Sequence, residues 1–466
     1  MCTNQTRLTG KTTKPVSPSP SPLASTVLPV CQPDTHSQRH RLGSSRGKMP
    51  LPLRRLAGAV AGPLLRRSLC TAAPRPPWAM VSSQAALDAS GPPSRGARTV
   101  VDLDTTPCVS HLSVPARLVD PHGDGMGFLV GIVRGASRDG LLLLDFVDAR
   151  HRPMSLHELA AARDGVEPDS KLFVCNPISG QLVRLPSPGM DVPKMGTSFG
   201  LLTQSRGSDG PPDRYAVAQL SKSSRGGGDC RRVVRRFLSE TGEWDERPLV
   251  GAFEMDPGRR MLINHEVLAF GDRLWWVDVA WGALSVDPFS DRPVRRLAEL
   301  PSWSVLPASD SPTLSKYRRM GVSDGKLRYV QVSNRDDMSS MVASFSLDDE
   351  TYTWAQDHII KITVRRDRCL VEIAAIDPFQ ANVVYLQHGG TVIAMDLAKR
   401  KEIWRSSLPN EIFFEKLLRS SSLVPCVLPT WLATSHIPPS PGTLSSNKAD
   451  CKRKTLADML VRVDKC

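Results

Sequence analysis

Two histidines, His151 and His157, flank Ser155-Leu156-His157-Glu158 six residues apart. A metal pair on a helix needs i, i+4 spacing and a third ligand close by, and neither is present here. His157-Glu158-Leu159-Ala160-Ala161 begins like a zinc-protease motif, but Ala161 stands where the second histidine belongs. Gly123-Asp124-Gly125-Met126-Gly127 and Gly226-Gly227-Gly228 resemble phosphate cradles. The first runs into a strand-like segment, not a helix, and no Lys-Ser or Lys-Thr follows the second, so both read as loops. Asp278 and Asp287 would be paired carboxylates only if the fold brought them together, and turn chemistry already explains Asp287-Pro288. Cysteines at 2, 31, 70, 108, 175, 230, 369, 426, 451 and 466 form no Cys-x-x-Cys and no zinc spacing. They read as free thiols in a reducing compartment. These side chains nominate no catalytic, cofactor-binding or metal-ligating residue, and no cofactor.

Charge is unevenly placed. Residues 1–100 hold 14 Lys or Arg against Asp34 and Asp88, giving +12 of the +13 total. The remainder is nearly neutral, which points away from nucleic acid, since that partner requires a basic face on the folded body. The dense run Arg231-Arg232-Val233-Val234-Arg235-Arg236 reads as an exposed edge strand defended by charge. No apolar run approaches the ~20 residues of a membrane span.

The elements that would position any site are short strands. Leu274-Trp275-Trp276-Val277-Asp278-Val279, a turn at Trp281-Gly282, Ala283–Val286 and Asp287-Pro288 read as strand, turn, strand, turn. Trp275 and Trp276 project to opposite faces. One is read as packing between sheets, and a ligand-binding role is left open for the other. Looser copies begin near Gly140, Arg214, Asp324 and Asn382. The late turns at Asn176, Glu240, Asp287, Asp348 and Asp396 are separated by 64, 47, 61 and 48 residues. Four-stranded propeller blades repeat at ~40–50 residues. The expectation is an all-β, propeller-like repeat of antiparallel sheets with about six blades. Helical signals are few: the capping box at Ser155, Glu411–Leu418 behind Asn410, and Thr455–Val463.

Five regions follow. Residues 1–48, centred on Pro15–Pro22, form a disordered extension. Residues 49–73 carry Arg54, Arg55, Arg66 and Arg67 among leucines with no acid, the pattern of a transit peptide. Arg67-Ser68-Leu69 has the Arg-x-Leu form of a mitochondrial processing site. A chloroplast address and an inert arm are the alternatives. Residues 74–107 read as a linker, 108–426 as the propeller-like body, and 427–466 as an irregular tail with a short helix.

Trp275-Trp276-Val277-Asp278, Trp281-Gly282 and Asp287-Pro288-Phe289-Ser290-Asp291-Arg292-Pro293 closely resemble the grass-expanded plant family called domain of unknown function 1618. Asn176-Pro177-Ile178-Ser179-Gly180 and Leu423-Val424-Pro425-Cys426 are similar to members of the same family. The resemblance spans roughly residues 110–466. It implies a propeller related in outline to Kelch repeats and F-box-associated domains, and it implies no activity. The expected function is a non-enzymatic protein-binding scaffold imported into mitochondria, with an unidentified protein partner. The alternatives are an enzyme whose site is built from loops on one propeller face and, ranked below it, a nucleic-acid-binding module.

Overall fold

The computed structural model describes residues 77–88, 98–104, 106, 108–120, 129–148, 170–188, 198–207, 210–222, 232–251, 266–307, 313–334, 339–363, 370–408, 423–441 and 444–445. All lie in the compact unit that begins at Thr71. The extension 1–48, the transit segment 49–73, the capping box at Ser155, and the helices expected at 411–418 and 455–463 fall outside the described residues.

The described chain is almost entirely strand. Blade 1 is β4 (Leu129–Ala136), β5 (Leu142–Asp148), β6 (Ser170–Cys175) and β7 (Leu182–Arg184). Blade 2 is β8 (Gly200–Gln204), β9 (Arg214–Lys222), β10 (Arg232–Leu238) and β11 (Glu243–Pro248). Blade 3 is β12 (Glu266–Phe270), β13 (Arg273–Asp278), β14 (Gly282–Val286) and β15 (Arg296–Glu299). Blade 4 is β16 (Arg318–Ser323), β17 (Lys326–Asn334), β18 (Ser339–Leu347) and β19 (Trp354–Thr363). Blade 5 is β20 (Val371–Ile376), β21 (Val383–His388), β22 (Thr391–Asp396) and β23 (Lys401–Ser407). Each is an antiparallel meander.

The sixth blade joins the two ends of this unit. β24 (Leu423–Val427) pairs antiparallel with β1 (Trp78–Asp88), with Ala79 opposite Cys426. β1 then pairs with β3 (Val109–Pro115), and β3 with β2 (Val100–Asp102). The first strands of the blades, β4, β8, β12, β16, β20 and β24, lie against one another in that order, and β24 returns to β4. The first strands therefore form a closed ring of six strand groups. The closing group is continuous with blade 1, because β1 also pairs antiparallel with β4, with Gln84 opposite Ile132 and Ala85 opposite Gly131. A closed ring leaves no inner edge for another chain to pair with.

Two expectations need correction. Residues 74–107 are not simply a linker, because they contain β1 and β2, and Ala79, Met80 and Val81 are fully buried. The polar run Ser82-Ser83-Gln84 disguises the strand, and its partner β24 lies more than 300 residues away. Nor is the tail after β24 a loose surface segment over its described part. Asn176 Nδ2 donates to the Leu432 carbonyl at 2.9 Å, Ile437 is buried, and β25 (Leu444–Ser445) adds to β7. Gly242, at φ +73°, lets this tail pass: a Cβ there would lie 1.7 Å from the Pro441 oxygen.

Packing explains why middle strands read as unbroken apolar runs. Every residue of β13 is buried, because each of its faces meets a neighbouring blade. One core joins blades 6, 1 and 2, and separate clusters lie between blades 2 and 3, 3 and 4, 4 and 5, and 5 and 6. Four of the five late turns recur as Asx turns, the exception being that at Glu240. The side-chain oxygens of Asn176, Asp287, Asp348 and Asp396 accept backbone N–H groups two or three residues on, at 2.8–3.1 Å. A carboxylate or amide at that point replaces a backbone acceptor and fixes the turn between third and fourth strands.

Candidate functional site

The axis of the ring carries a charged hub. Arg319, near the start of β16, is 3% exposed. Its Nη2 donates to Glu266 Oε1 of β12 at 3.0 Å and to the Leu423 carbonyl of β24 at 2.7 Å. Its Nη1 donates to the Ala374 carbonyl of β20. One guanidinium thus ties together four of the six inner strands. Arg has five donors in a fixed fork, so it suits several acceptors arriving from different directions. Beside it Lys316 Nζ lies 3.6 Å from Glu372 Oε1, and the same carboxylate, after burial, helps push the Tyr317 hydroxyl upward. Across the axis, a Cβ at Gly135 of β4 would lie 3.6 Å from the Val267 oxygen of β12.

The two tryptophans do one task on two sides. Trp276 enters the core shared with blade 2, and its Nε1 donates to the Ser198 carbonyl at 3.0 Å. Trp275 enters the core shared with blade 4 and stacks on Tyr352, with ring centroids 6.5 Å apart. Both are inter-blade packing. Tyr352 holds φ +55°, costly for a bulky residue, where it meets Trp275 and the Arg296 guanidinium. Asp278 and Asp287 sit at opposite ends of β14 and so cannot work as a pair. Each caps a turn, taking the N–H of Ala280 and Phe289 at 2.9 and 2.8 Å.

The basic run at 231–236 is also corrected. β10 is the third strand of blade 2, lying between β9 and β11, not an exposed edge. Arg236 is fully buried against the Asp287–Asp291 turn of blade 3. Its Nη1 donates to the Pro288 and Ser290 carbonyls at 2.8 and 2.7 Å. Nε and Nη2 reach Asp245 and Asp291 at 2.7 and 2.9 Å. Arg235 is buried too, 5.8 Å from the Trp244 ring centroid. Charge density along the sequence could not reveal acceptors contributed by another blade.

Blade 5 exposes apolar side chains at its rim, as Trp303 and Ile359 are exposed elsewhere. Trp404 and Ile403 of β23 are 60% and 54% exposed, and Phe379 in the β20–β21 turn is 49% exposed. Lys399, Arg400 and Lys401 form the adjoining hairpin. The two turns touch through the Leu397 N–H, which donates to the Asn382 carbonyl at 2.8 Å. Residue type alone does not single out Trp404, because exposure is not written in it.

Cys175 and Cys426 are buried free thiols. Burial pushes Cys175 up to about 12, against a weaker opposing effect from Thr99. It pushes Cys426 to about 12 as well, with Cys175 nearby adding to the shift. No group of three His, Cys, Asp or Glu among the described residues could hold a metal ion. His151, His157, Cys369 and the glycine runs at 123–127 and 226–228 lie outside the described residues.

Trp276, Asp287 and all of blade 4 fall within one matched segment. Residues 276–382 match the family of proteins of unknown function designated DUF1618. The resemblance read from the Trp-Trp-Val-Asp motif is borne out over this stretch. The DUF1618 segment runs from the middle of β13 into the β20–β21 turn. No curated protein matches the chain. Among solved structures, the chain is 11% identical to the WD40 domain of SCAP from fission yeast, with a TM-score of 0.28, over 68% of this chain and 59% of that one. It is 14% identical to a Lactobacillus plantarum protein, over 51% and 78%, with a TM-score of 0.25. It is 11% identical to AztD from Citrobacter koseri, over 64% and 86%, with a TM-score of 0.25. Scores this low leave the architecture to be read from the sheets themselves.

Proposed function

We propose that this protein is a non-enzymatic, protein-binding scaffold that works inside mitochondria after losing its N-terminal segment. The observation that carries the binding role is the rim of blade 5, where Phe379, Ile403 and Trp404 stay exposed beside a cationic hairpin. Large apolar groups left clustered on a surface mark partner contacts more often than isolated ones do. The charged groups on the axis serve a different purpose, since Arg319 and Glu266 hold inner strands together. The import reading rests on the acid-free arginine segment at 49–73, and it is compatible with the fold. The first described strand begins at Trp78, so trimming near Leu69 removes no described strand of the ring.

Radiolabelled full-length chain incubated with isolated mitochondria should become protease-protected and shorten by about seventy residues. Glu at positions 54, 55, 66 and 67 should abolish both effects, because the inner-membrane potential drives positive segments inward at ~2.3 kcal/mol per charge per 100 mV. Uptake into chloroplasts instead, or no uptake, defeats the mitochondrial assignment. For the binding role, a tagged protein expressed in cells should retain at least one stoichiometric partner. Absence of any such partner, together with turnover of a small-molecule substrate, would favour the enzyme reading.

A further inference from the structure

We infer that β23 is a docking edge for an acidic, extended polypeptide segment, which adds to blade 5 as a fifth strand. This rests on the scaffold reading and names the partner's chemistry. β23 is the outermost strand of blade 5 and pairs on one side only, with β22. Its second row of backbone N–H and C=O groups faces outward. Adjacent strand residues ordinarily project to opposite faces. Here Met395 is opposite Glu402 and Ala394 opposite Trp404, which leaves Ile403 as an extra residue in a bulge. Both faces of β23 are exposed from Lys401 to Arg405, and Ile403 and Trp404 are the two large apolar residues set along this open edge.

Other outer strands also pair on one side only, but β11 exposes no large apolar side chain and β19 exposes only Ile359. Beyond β11, Val250 bridges Val294 of the next blade. β7 is covered by β25. On β19, Trp354 is turned inward, its Nε1 donating to the Glu299 carbonyl at 2.6 Å. β15 and β2 span only four and three residues.

Charge selects the occupant. Lys399, Arg400, Lys401 and Arg405 outnumber Asp396 and Glu402 in this hairpin. Asp396 holds Lys399 at 2.9 Å, and Glu402 holds Arg405 at 2.7 Å. No carboxylate pairs with Arg400 or Lys401 among the described residues. An anionic lipid surface would suit the same charges, but an edge pressed into lipid leaves its backbone groups without partners. A peptide strand satisfies that backbone, places apolar residues against Ile403 and Trp404, and sets carboxylates near Arg400 and Lys401.

The probe is a fluorescein-labelled peptide of alternating Glu and Val, titrated with full-length protein and followed by anisotropy. Saturable binding is expected, weakening with salt. Exchanging every Glu for Lys should abolish it, and so should a central proline, which removes a backbone donor. Trp404→Ala and Ile403→Asp should each weaken it ten-fold or more. Both positions are exposed, so the unfolding midpoint should stay at the native value. No binding, equal binding of the Lys peptide, or unchanged binding by Trp404→Ala overturns the proposal. So does Trp404-dependent capture of phosphatidylserine vesicles without peptide binding. If Trp404→Ala keeps the partner recovered from cells, the scaffold reading survives and this edge is not its site. If the native protein recovers no partner, the scaffold reading itself falls.

Discussion

Replacing Arg236 by Met tests whether the turn at Asp287–Asp291 serves to lock blade 3 onto blade 2. The native guanidinium is 1% exposed and donates to two carbonyls, Pro288 O and Ser290 O, and to two carboxylates, Asp245 and Asp291. Burial alone would lower its pKa, but the two carboxylates hold it above the ordinary value, so it is a cation at any working pH. Methionine fills much of the stem's volume and makes none of these bonds. The carboxylates, 36% and 81% exposed, recover water when the partner leaves. The two carbonyls do not recover it fully, and each buried acceptor left alone costs about 1–3 kcal/mol. The expected loss is therefore about 3 kcal/mol, within the range for breaking a buried charged contact. Arg236→Lys should lose about half of that, because one ammonium cannot span both carbonyls and both carboxylates. Asp291→Asn should leave stability almost unchanged, since that side chain lies in water. Urea unfolding followed by tryptophan fluorescence reads the difference as a shift in midpoint at constant slope. If Arg236→Met lies within about 0.5 kcal/mol of the native protein, or Asp291→Asn is equally damaging, the inter-blade clamp is wrong.

Other outcomes follow from the same packing. Trp276→Ala should destabilise by about 3–5 kcal/mol, as expected for deleting a large buried aromatic, measured by the same urea titration; a loss under 1 kcal/mol would contradict its place between blades 2 and 3. Iodoacetamide applied to native protein at neutral pH should leave Cys175 and Cys426 unmodified by peptide mass spectrometry, and unfolding in urea should expose both. Their thiols sit at about 12 when folded, so the unfolded chain releases these protons first, and stability should fall as pH rises from about 9 toward 12. A rise in stability across that window would reverse the sign and reject the buried-thiol assignment.

Much of the architecture could be read from residue pattern. The repeat of strand, turn and Asx-capped hairpin is local, and Asn176, Asp287, Asp348 and Asp396 announce it without reference to the rest of the chain. Features made by distant partners were not legible. β1 looks polar at Ser82-Ser83-Gln84, and only its pairing with Leu423–Val427 makes it a core strand. Arg236 looked like surface charge because three of its four partners, Pro288, Ser290 and Asp291, lie 52–55 residues away on another blade. Arg319 drew no notice, as Glu266, Ala374 and Leu423 converge on it only after the ring closes. The exposure of Ile403 and Trp404 depends on β23 being the outermost strand of its sheet, which residue types do not announce.

Every blade position depends on β1 closing the ring. Hydrogen–deuterium exchange on the full-length protein tests this most directly. Amides of Ala79–Val81 should exchange as slowly as those of Trp275–Val277, because both sit in fully buried, paired strands. Exchange of residues 79–81 within seconds, while 275–277 stay protected for hours, would show an open ring and a linker where the closing strand should be.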